Sequence, residues 1–216
     1  MNALLTWFLD LLYPPRCMLC HCMMESSERA TCGMCEDDLP EYEKPPRKVR
    51  FYEKSSVVFR YEGYVADAVR RFKFHGMQTY SQQFAKWMCI RIRGELDGKY
   101  DLISWVPCSA RRRRKRGFDQ AELLAREVSK QLGVPCIRTV RKIKDTPKQS
   151  RQTSDAARRA NVLGAYKAYK PENYIGKRIL MIDDVLTTGS TMEECGKMLR
   201  LAGSGDLVCA AIASAR

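Results

Sequence analysis

Two adjacent carboxylates stand at the centre of the stretch RILMIDDVLTTGST, Arg178 to Thr191. Four apolar residues lead into Asp183 and Asp184, and Val185, Leu186, Thr187, Thr188, Gly189, Ser190 and Thr191 follow. The apolar run reads as a buried strand over residues 178–182. In an open parallel sheet, ligands gather at the carboxyl ends of strands, so the spacing predicts the two aspartates at such an end. The loop behind them carries hydroxyls and backbone N–H groups into a helix over residues 190–202. A helix N-terminus and a nest of amides favour an anion, which suits one phosphate. The two carboxylates suit the donors of a vicinal diol, and a ribose bearing a 5′-phosphate presents both. A chance surface turn would leave two abutting acids without compensation. Gly196-Lys197 is not a Walker A loop: Thr191 stands where that motif needs glycine, and Met198 is neither serine nor threonine.

A second chemistry lies near the N-terminus. CMLC at 17–20 and CGMC at 32–35 are two Cys-x-x-Cys pairs separated by eleven residues. Each pair offers two thiolates from one tight turn, and two such knuckles close a tetrahedron around zinc. Cys17, Cys20, Cys32 and Cys35 are the expected ligands, with His21 or Cys22 able to replace Cys20. Four protein ligands leave no open position, so the metal is expected to be structural. The remaining six of the ten cysteines read as core or neutral thiols.

The third feature is RRRRKRGFDQ. Arg111, Arg112, Arg113, Arg114, Lys115 and Arg116 follow a strand that ends at Pro107, so they point to the same sheet edge as the aspartates. They could neutralise a pyrophosphate or contact a nucleic-acid backbone, and the two uses share one chemistry. Residues 141–166 are polar, basic and rich in Thr, Ser and Gln, and read as a long mobile loop of the kind that forms lids.

The elements that must position these groups alternate. Strands are expected at 56–61, 101–107, 135–140, 178–182 and within 204–215, and helices at 64–74, 81–96, 118–133 and 190–202. Phe84, Trp87, Met88 and Ile92 form an inner face of the second helix. This alternation indicates an α/β domain with a mainly parallel sheet flanked by helices. A composition change near EKPPRKVR divides the chain into 1–48, an N-terminal helix with the cysteine module, and 49–216, the α/β domain. Residues 1–45 net −5 and residues 46–216 net +18 within a total of +13. Such a balance suggests polyanionic partners. The longest apolar stretch, ALLTWFLDLLY, has eleven residues and contains Asp10, too short to span a bilayer. It is expected to be a packing helix with Leu4, Leu5, Phe8, Leu11 and Leu12 on one face, without stable membrane insertion. The chain is expected to be cytoplasmic, its thiols reduced or metal-bound.

The aspartate stretch resembles the phosphoribosyl pyrophosphate fingerprint of type I phosphoribosyltransferases. That resemblance implies Asp183 and Asp184 on the ribose hydroxyls and residues Val185 to Thr191 around the 5′-phosphate. VPCSARRRRKRGFDQAELLA, TPKQSRQTSDAARRANVLGAY, DDVLTTGST and YPPRCMLC…CGMC together are similar to the ComF family over nearly the whole chain. Asp119 stands where that pattern usually has Asn, and Gln152 where it has an apolar residue. The resemblance implies a type I phosphoribosyltransferase fold with an N-terminal zinc finger. It also implies a role in natural transformation on incoming single-stranded DNA, phosphoribosyl pyrophosphate with Mg²⁺ as ligand, and a helicase-like competence partner. The alternative is a catalytic phosphoribosyltransferase acting on a small-molecule acceptor in nucleotide metabolism. There Asp183 and Asp184 would be catalytic, with Asp184 stabilising an oxocarbenium-like centre.

Overall fold

The structure is a computed structural model that describes residues 14–25, 29–44, 48–145 and 160–215. In chain order these form α1 (Gly33–Asp37), β1 (Lys54–Arg60), α2 (Gly63–Phe74), α3 (Tyr80–Leu96), β2 (Leu102–Trp105) and α4 (Ala110–Arg116). They continue with α5 (Gln120–Leu132), β3 (Val140–Lys142), β4 (Tyr166–Ala168), β5 (Ile179–Leu186), α6 (Ser190–Leu201) and β6 (Leu207–Ser214). The main sheet has the order β1-β6-β5-β2, and every pair in it is parallel. Helices cover both faces, which is why the central strands are near-continuous apolar runs rather than alternating ones; all eight residues of β6 are buried.

Each face has its own apolar cluster. On one side Phe72 of α2, Phe84, Met88 and Ile92 of α3, and Leu124 and Val128 of α5 meet Ile103, Leu180, Ile182 and Ile212. Phe84, Met88 and Ile92 are fully buried, as the helical spacing predicts, while Trp87 is only partly so. On the other side Met192, Cys195 and Leu199 of α6 meet Tyr52, Val57, Ile179, Met181 and Cys209. Packing is tight at Gly196, where a Cβ would lie 2.6 Å from the Tyr52 ring. Tyr52 is fixed there because its hydroxyl donates to Met192 O at 3.1 Å. The residue before Lys197 is therefore a helix-packing glycine inside α6.

The Cys-rich segment is not a free appendage. Cys17, Met18 and Leu19 belong to the first apolar cluster. Residues 40–42 run along the outer edge of β1, with Arg60 N donating to Pro40 O and Tyr42 N to Val58 O.

Two local expectations differ from the structure. First, β5 does not stop at Ile182. Its pairing with β6 continues to Leu186↔Ser214, so Asp183 and Asp184 lie within the strand. Second, residues 135–140 do not form a strand of their own. One parallel bridge, Ile103↔Cys136, extends the sheet past β2, and the chain then enters an antiparallel β3–β4 ribbon. The basic run, to which the sequence alone assigns no conformation, is helical. Ser109 Oγ caps α4 by accepting from Arg112 N at 3.3 Å, and Gly117 at φ 83° closes it. Basic residues at a helix C-terminus also complement its dipole. The expected helix over 3–13 and residues 146–159 of the expected lid lie outside the described residues.

Candidate functional site

From β2 the chain leaves through α4 and α5 toward the Cys136 bridge on the outer edge. From β5 it leaves the opposite way through α6 to β6. The β2/β5 border is therefore the topological switch point, where an open α/β sheet forms a crevice beyond the strand ends. The β2–β5 ladder ends at Trp105↔Ile182, while β5 runs on, held on its other side by β6. Asp183 and Asp184 occupy that one-sided extension.

The two carboxylates have different surroundings. Asp184 is buried, and its Oδ1 lies 2.9 Å from Lys73 Nζ at the end of α2. Its Oδ2 is buried without a hydrogen-bond partner among the described residues. Asp183 Oδ1 accepts from Asp184 N at 2.8 Å. Burial foremost, and then the Asp184 charge, hold the Asp183 carboxyl well above its ordinary range. A carboxylate whose folded value is raised binds its proton more tightly in the native state than in the unfolded chain. Its favourable contribution is thus fully present below about pH 4 and is lost as pH rises through the raised value. Asp183→Asn, which keeps the acceptor for Asp184 N, should melt at higher temperature than the parent at pH 8. The difference should shrink toward zero as pH falls to about 4. Thermal melts of both proteins across that range check the sign; a variant less stable at pH 8 would show that the anionic form is preferred in the fold.

The loop after β5 turns through Gly189 at φ 80° into α6. The hydroxyls of Thr188 and Ser190 are 2.8 Å apart, and Ser190 N donates to Thr188 Oγ1. Val185 and Leu186 are strand residues packed into the two clusters, so their side chains serve the core. Thr187 and Thr191 are half-buried at either end of the turn.

Across the crevice, α4 divides its basic residues by helical phase. Arg111 is exposed and 3.5 Å from Asp145; Arg113 lies 3.5 Å from Glu122 of α5; Arg114 and Lys115 face solvent. Arg112 and Arg116, one turn apart, are half-buried. Arg116 donates to Gln120 Oε1 at 2.7 Å and stacks 4.7 Å over the Phe74 ring. Burial lowers its guanidinium, and the nearby Asp184 charge acts in the opposite direction. Asp119 is buried as the cap of α5, accepting from Ala121 N and Glu122 N through Oδ1. Its Oδ2 accepts from Cys108 N at 2.8 Å, pinning the turn that follows β2. Burial raises its carboxyl.

The cysteines meet as a second constellation. The Sγ atoms of Cys17, Cys20, Cys32 and Cys35 all lie within 4.8 Å of one another, with Cys20 and Cys32 at 3.7 Å. Four thiolates about 2.3 Å from one zinc ion would have such separations. Leu19 N and Cys32 N both point at Cys17 Sγ, at 3.4 Å each. The donor set fits a structural zinc, while His21 and Cys22 stand outside this group of four.

Comparison with known proteins agrees with both constellations. A double zinc ribbon domain matches residues 8–47 and a phosphoribosyl transferase domain matches residues 115–216. Competence protein F of Haemophilus influenzae is 28% identical over 84% of this chain and 83% of its own length. Competence protein ComFC of Bacillus subtilis is 25% identical over 82% of this chain and 69% of its own length. The chain belongs to the ComF family. DNA utilization protein YhgH of Salmonella typhi is 33% identical over 46% of this chain, a match that spans 43% of that relative's length.

In this ComF protein the parallel sheet is that of a phosphoribosyltransferase, and the cysteine cluster is placed as in a zinc ribbon. Sequence reasoning passed over Lys73 and Lys142, and noted Asp119 only as a departure from the family pattern. Lys73 sits 111 positions before its partner Asp184, in the last turn of an amphipathic helix, where lysine ordinarily reads as a solvated dipole partner. Asp119 carried a capping signal, since it opens a clear helix. Lys142, at the end of β3, lies 5.1 Å over the Tyr166 ring, and burial foremost and then the Arg112 charge lower its ammonium. Of the two phenylalanines in the last turn of α2, Phe72 is core, while Phe74 is half exposed beneath Arg116.

Proposed function

We propose that this protein binds phosphoribosyl pyrophosphate with magnesium at the β2/β5 switch point and single-stranded DNA on its basic surface. In this role it supports uptake or processing of incoming DNA during natural transformation, in the cytoplasm. One observation carries the reading: a carboxylate pair on the overhanging end of β5 is followed directly by a hydroxyl-rich turn into α6, with half-buried Arg116 of α4 within reach of the Asp184 charge.

The residues fit the magnesium that such a ligand carries. Asp183 and Asp184 offer hard carboxylate oxygens of the type magnesium takes, and Asp184 Oδ2 is buried without a partner among the described residues. When bound, the metal supplies charge neutralisation on the diphosphate. The chain's own residues do the rest. The turn from Thr187 to Thr191 holds the 5′-phosphate on amides and hydroxyls, the aspartates orient the ribose, and Arg112, Arg116 and Lys73 balance the remaining negative charge. A site of this kind stabilises a departing pyrophosphate by pre-placed charge, which is what the enzymatic alternative requires. Arg111, Arg113, Arg114 and Lys115 remain on the outer surface, where a nucleic-acid backbone can reach them. The names of the competence and DNA-utilization relatives support the DNA side of the reading.

Calorimetric titration of Mg²⁺–phosphoribosyl pyrophosphate into the wild type and into Asp183→Asn/Asp184→Asn tests the site. The wild type should bind, and the double variant should lose about 100-fold or more, as two carboxyl groups that offer oxygens to the ligand and its metal are removed. A well-folded, zinc-loaded wild type that takes up no heat would refute the ligand. In parallel, oligonucleotide affinity should fall steeply between about 50 and 200 mM salt and weaken when Arg111–Arg114 are changed to alanine. Pyrophosphate released in the presence of a nucleobase, but not of DNA, would favour the alternative of a small-molecule acceptor.

A further inference from the structure

The last turn of α2 touches three separate parts of the molecule within four residues. Arg71 Nη2 donates to Met18 O at 2.8 Å and Leu19 O at 2.6 Å, both inside the CMLC knuckle. Lys73 Nζ lies 2.9 Å from Asp184 Oδ1. The Phe74 ring carries the Arg116 guanidinium at 4.7 Å. The helix then ends, with His75 N donating to Arg71 O. One helix turn thus contacts both the four-cysteine cluster and the carboxylate pair.

We propose that the zinc knuckle sets the ligand site through this turn: Arg71 fastens the end of α2 to the knuckle, and Lys73 is thereby held against Asp184 as a positioning residue. This rests on the reading of the β2/β5 crevice as a phosphoribosyl pyrophosphate site. The two acceptors of Arg71 are presented only when the knuckle is closed. His21 N donates to Cys17 O and Leu19 N points at Cys17 Sγ, so the carbonyls of Met18 and Leu19 are turned outward by the same turn that gathers the thiolates. Arg71 Nε is already buried with no hydrogen-bond partner among the described residues. If the knuckle opens, the guanidinium loses both carbonyls in a half-buried place, a condition that charged groups do not tolerate. The helix end must then move, and Lys73 and Phe74 move with it. A misplacement of about 1 Å at a site can cost on the order of 100-fold in what that site does, so zinc loading becomes a control on ligand affinity without zinc touching the ligand.

The test is Arg71→Ala in the full chain, with zinc content measured, read in two ways. Amide hydrogen exchange over residues 71–76 reports the position of the turn without any ligand, and titration of Mg²⁺–phosphoribosyl pyrophosphate reports the site. With zinc retained at wild-type stoichiometry, exchange at Lys73, Phe74 and His75 should quicken about tenfold or more, and affinity should fall by a similar factor, as expected for lost charged hydrogen bonds. Arg70→Ala, on the same helix but paired only with Asp67 at the surface, should change neither. If Arg71→Ala does not hold zinc, Arg71→Lys takes its place, retaining the charge and stem while losing the second hydrogen bond. A zinc-loaded Arg71 variant that exchanges and binds as the wild type does would overturn the proposal. If the wild type binds no phosphoribosyl pyrophosphate, the ligand reading fails, and the exchange measurement alone decides the coupling.

Discussion

Cys35→Ser should yield a protein that carries no zinc and does not stay soluble. Cys35 is buried beside Cys17, and Cys17, Met18 and Leu19 belong to the same apolar cluster as Phe72, Phe84 and Ile182. Loss of one thiolate from a closed set of four therefore releases a knuckle that forms part of the domain core. Structural zinc contributes about 10–16 kcal/mol to folding in small zinc modules, whereas whole domains are stable by about 5–15 kcal/mol. Even a fraction of the first number is a large share of the second. Cys22→Ser, a change adjacent in sequence but outside the group of four, should retain one zinc per chain and the parent melting temperature. Elemental analysis of the two purified variants decides the matter. Full zinc in Cys35→Ser, or its loss in Cys22→Ser, would mean that a different ligand set is in use.

Lys73→Met should cost about 3–5 kcal/mol of stability, the range observed when one member of a buried ion pair is removed. The asymmetry of the pair supports this size. Lys73 keeps 18% of its side chain exposed and Asp184 only 7%, so a lone Asp184 has no route to water, and its second oxygen is already unpartnered. A lone Lys73, by contrast, can extend its long stem toward solvent. Asp184→Asn should accordingly be much milder, and the double variant Lys73→Met/Asp184→Asn should recover most of the loss. Denaturant titrations of the four proteins measure the coupling directly. A loss below about 1 kcal/mol in Lys73→Met would place the pair among solvent-screened surface bridges and would remove the electrostatic reason for Lys73 to be there.

The alternation of strands and helices was legible in the sequence because each core element carries an uninterrupted apolar face, such as Phe84, Met88 and Ile92 on α3 or residues 179–182 on β5. The four cysteines were legible because ligand spacing is local: a knuckle is a property of four consecutive residues. What escaped was set by partners distant in the chain. No property of Asp183 or Asp184 reveals that β6 stays paired with β5 to Leu186 while β2 stops at Trp105. Isolated aspartates disfavour strands, and the ladder overrides that tendency. The helix α4 had a readable cap and a closing glycine, yet six like charges in succession masked them. Lys73 had no local signal at all; its meaning comes from a contact across 111 residues.

The overhang of β5 has one consequence for how binding would be felt. Successive side chains of a strand leave opposite faces, and the strand divides its residues accordingly: Ile179 and Met181 enter the cluster under α6, Leu180 and Ile182 the one under α2, α3 and α5. Asp183 and Asp184 continue that division, the second reaching Lys73 on the α2 side. A small polar molecule gripping both would have one hand in each half of the interior. It would act as a rivet through the open end of the sheet, making two layers that could otherwise loosen separately come apart only together.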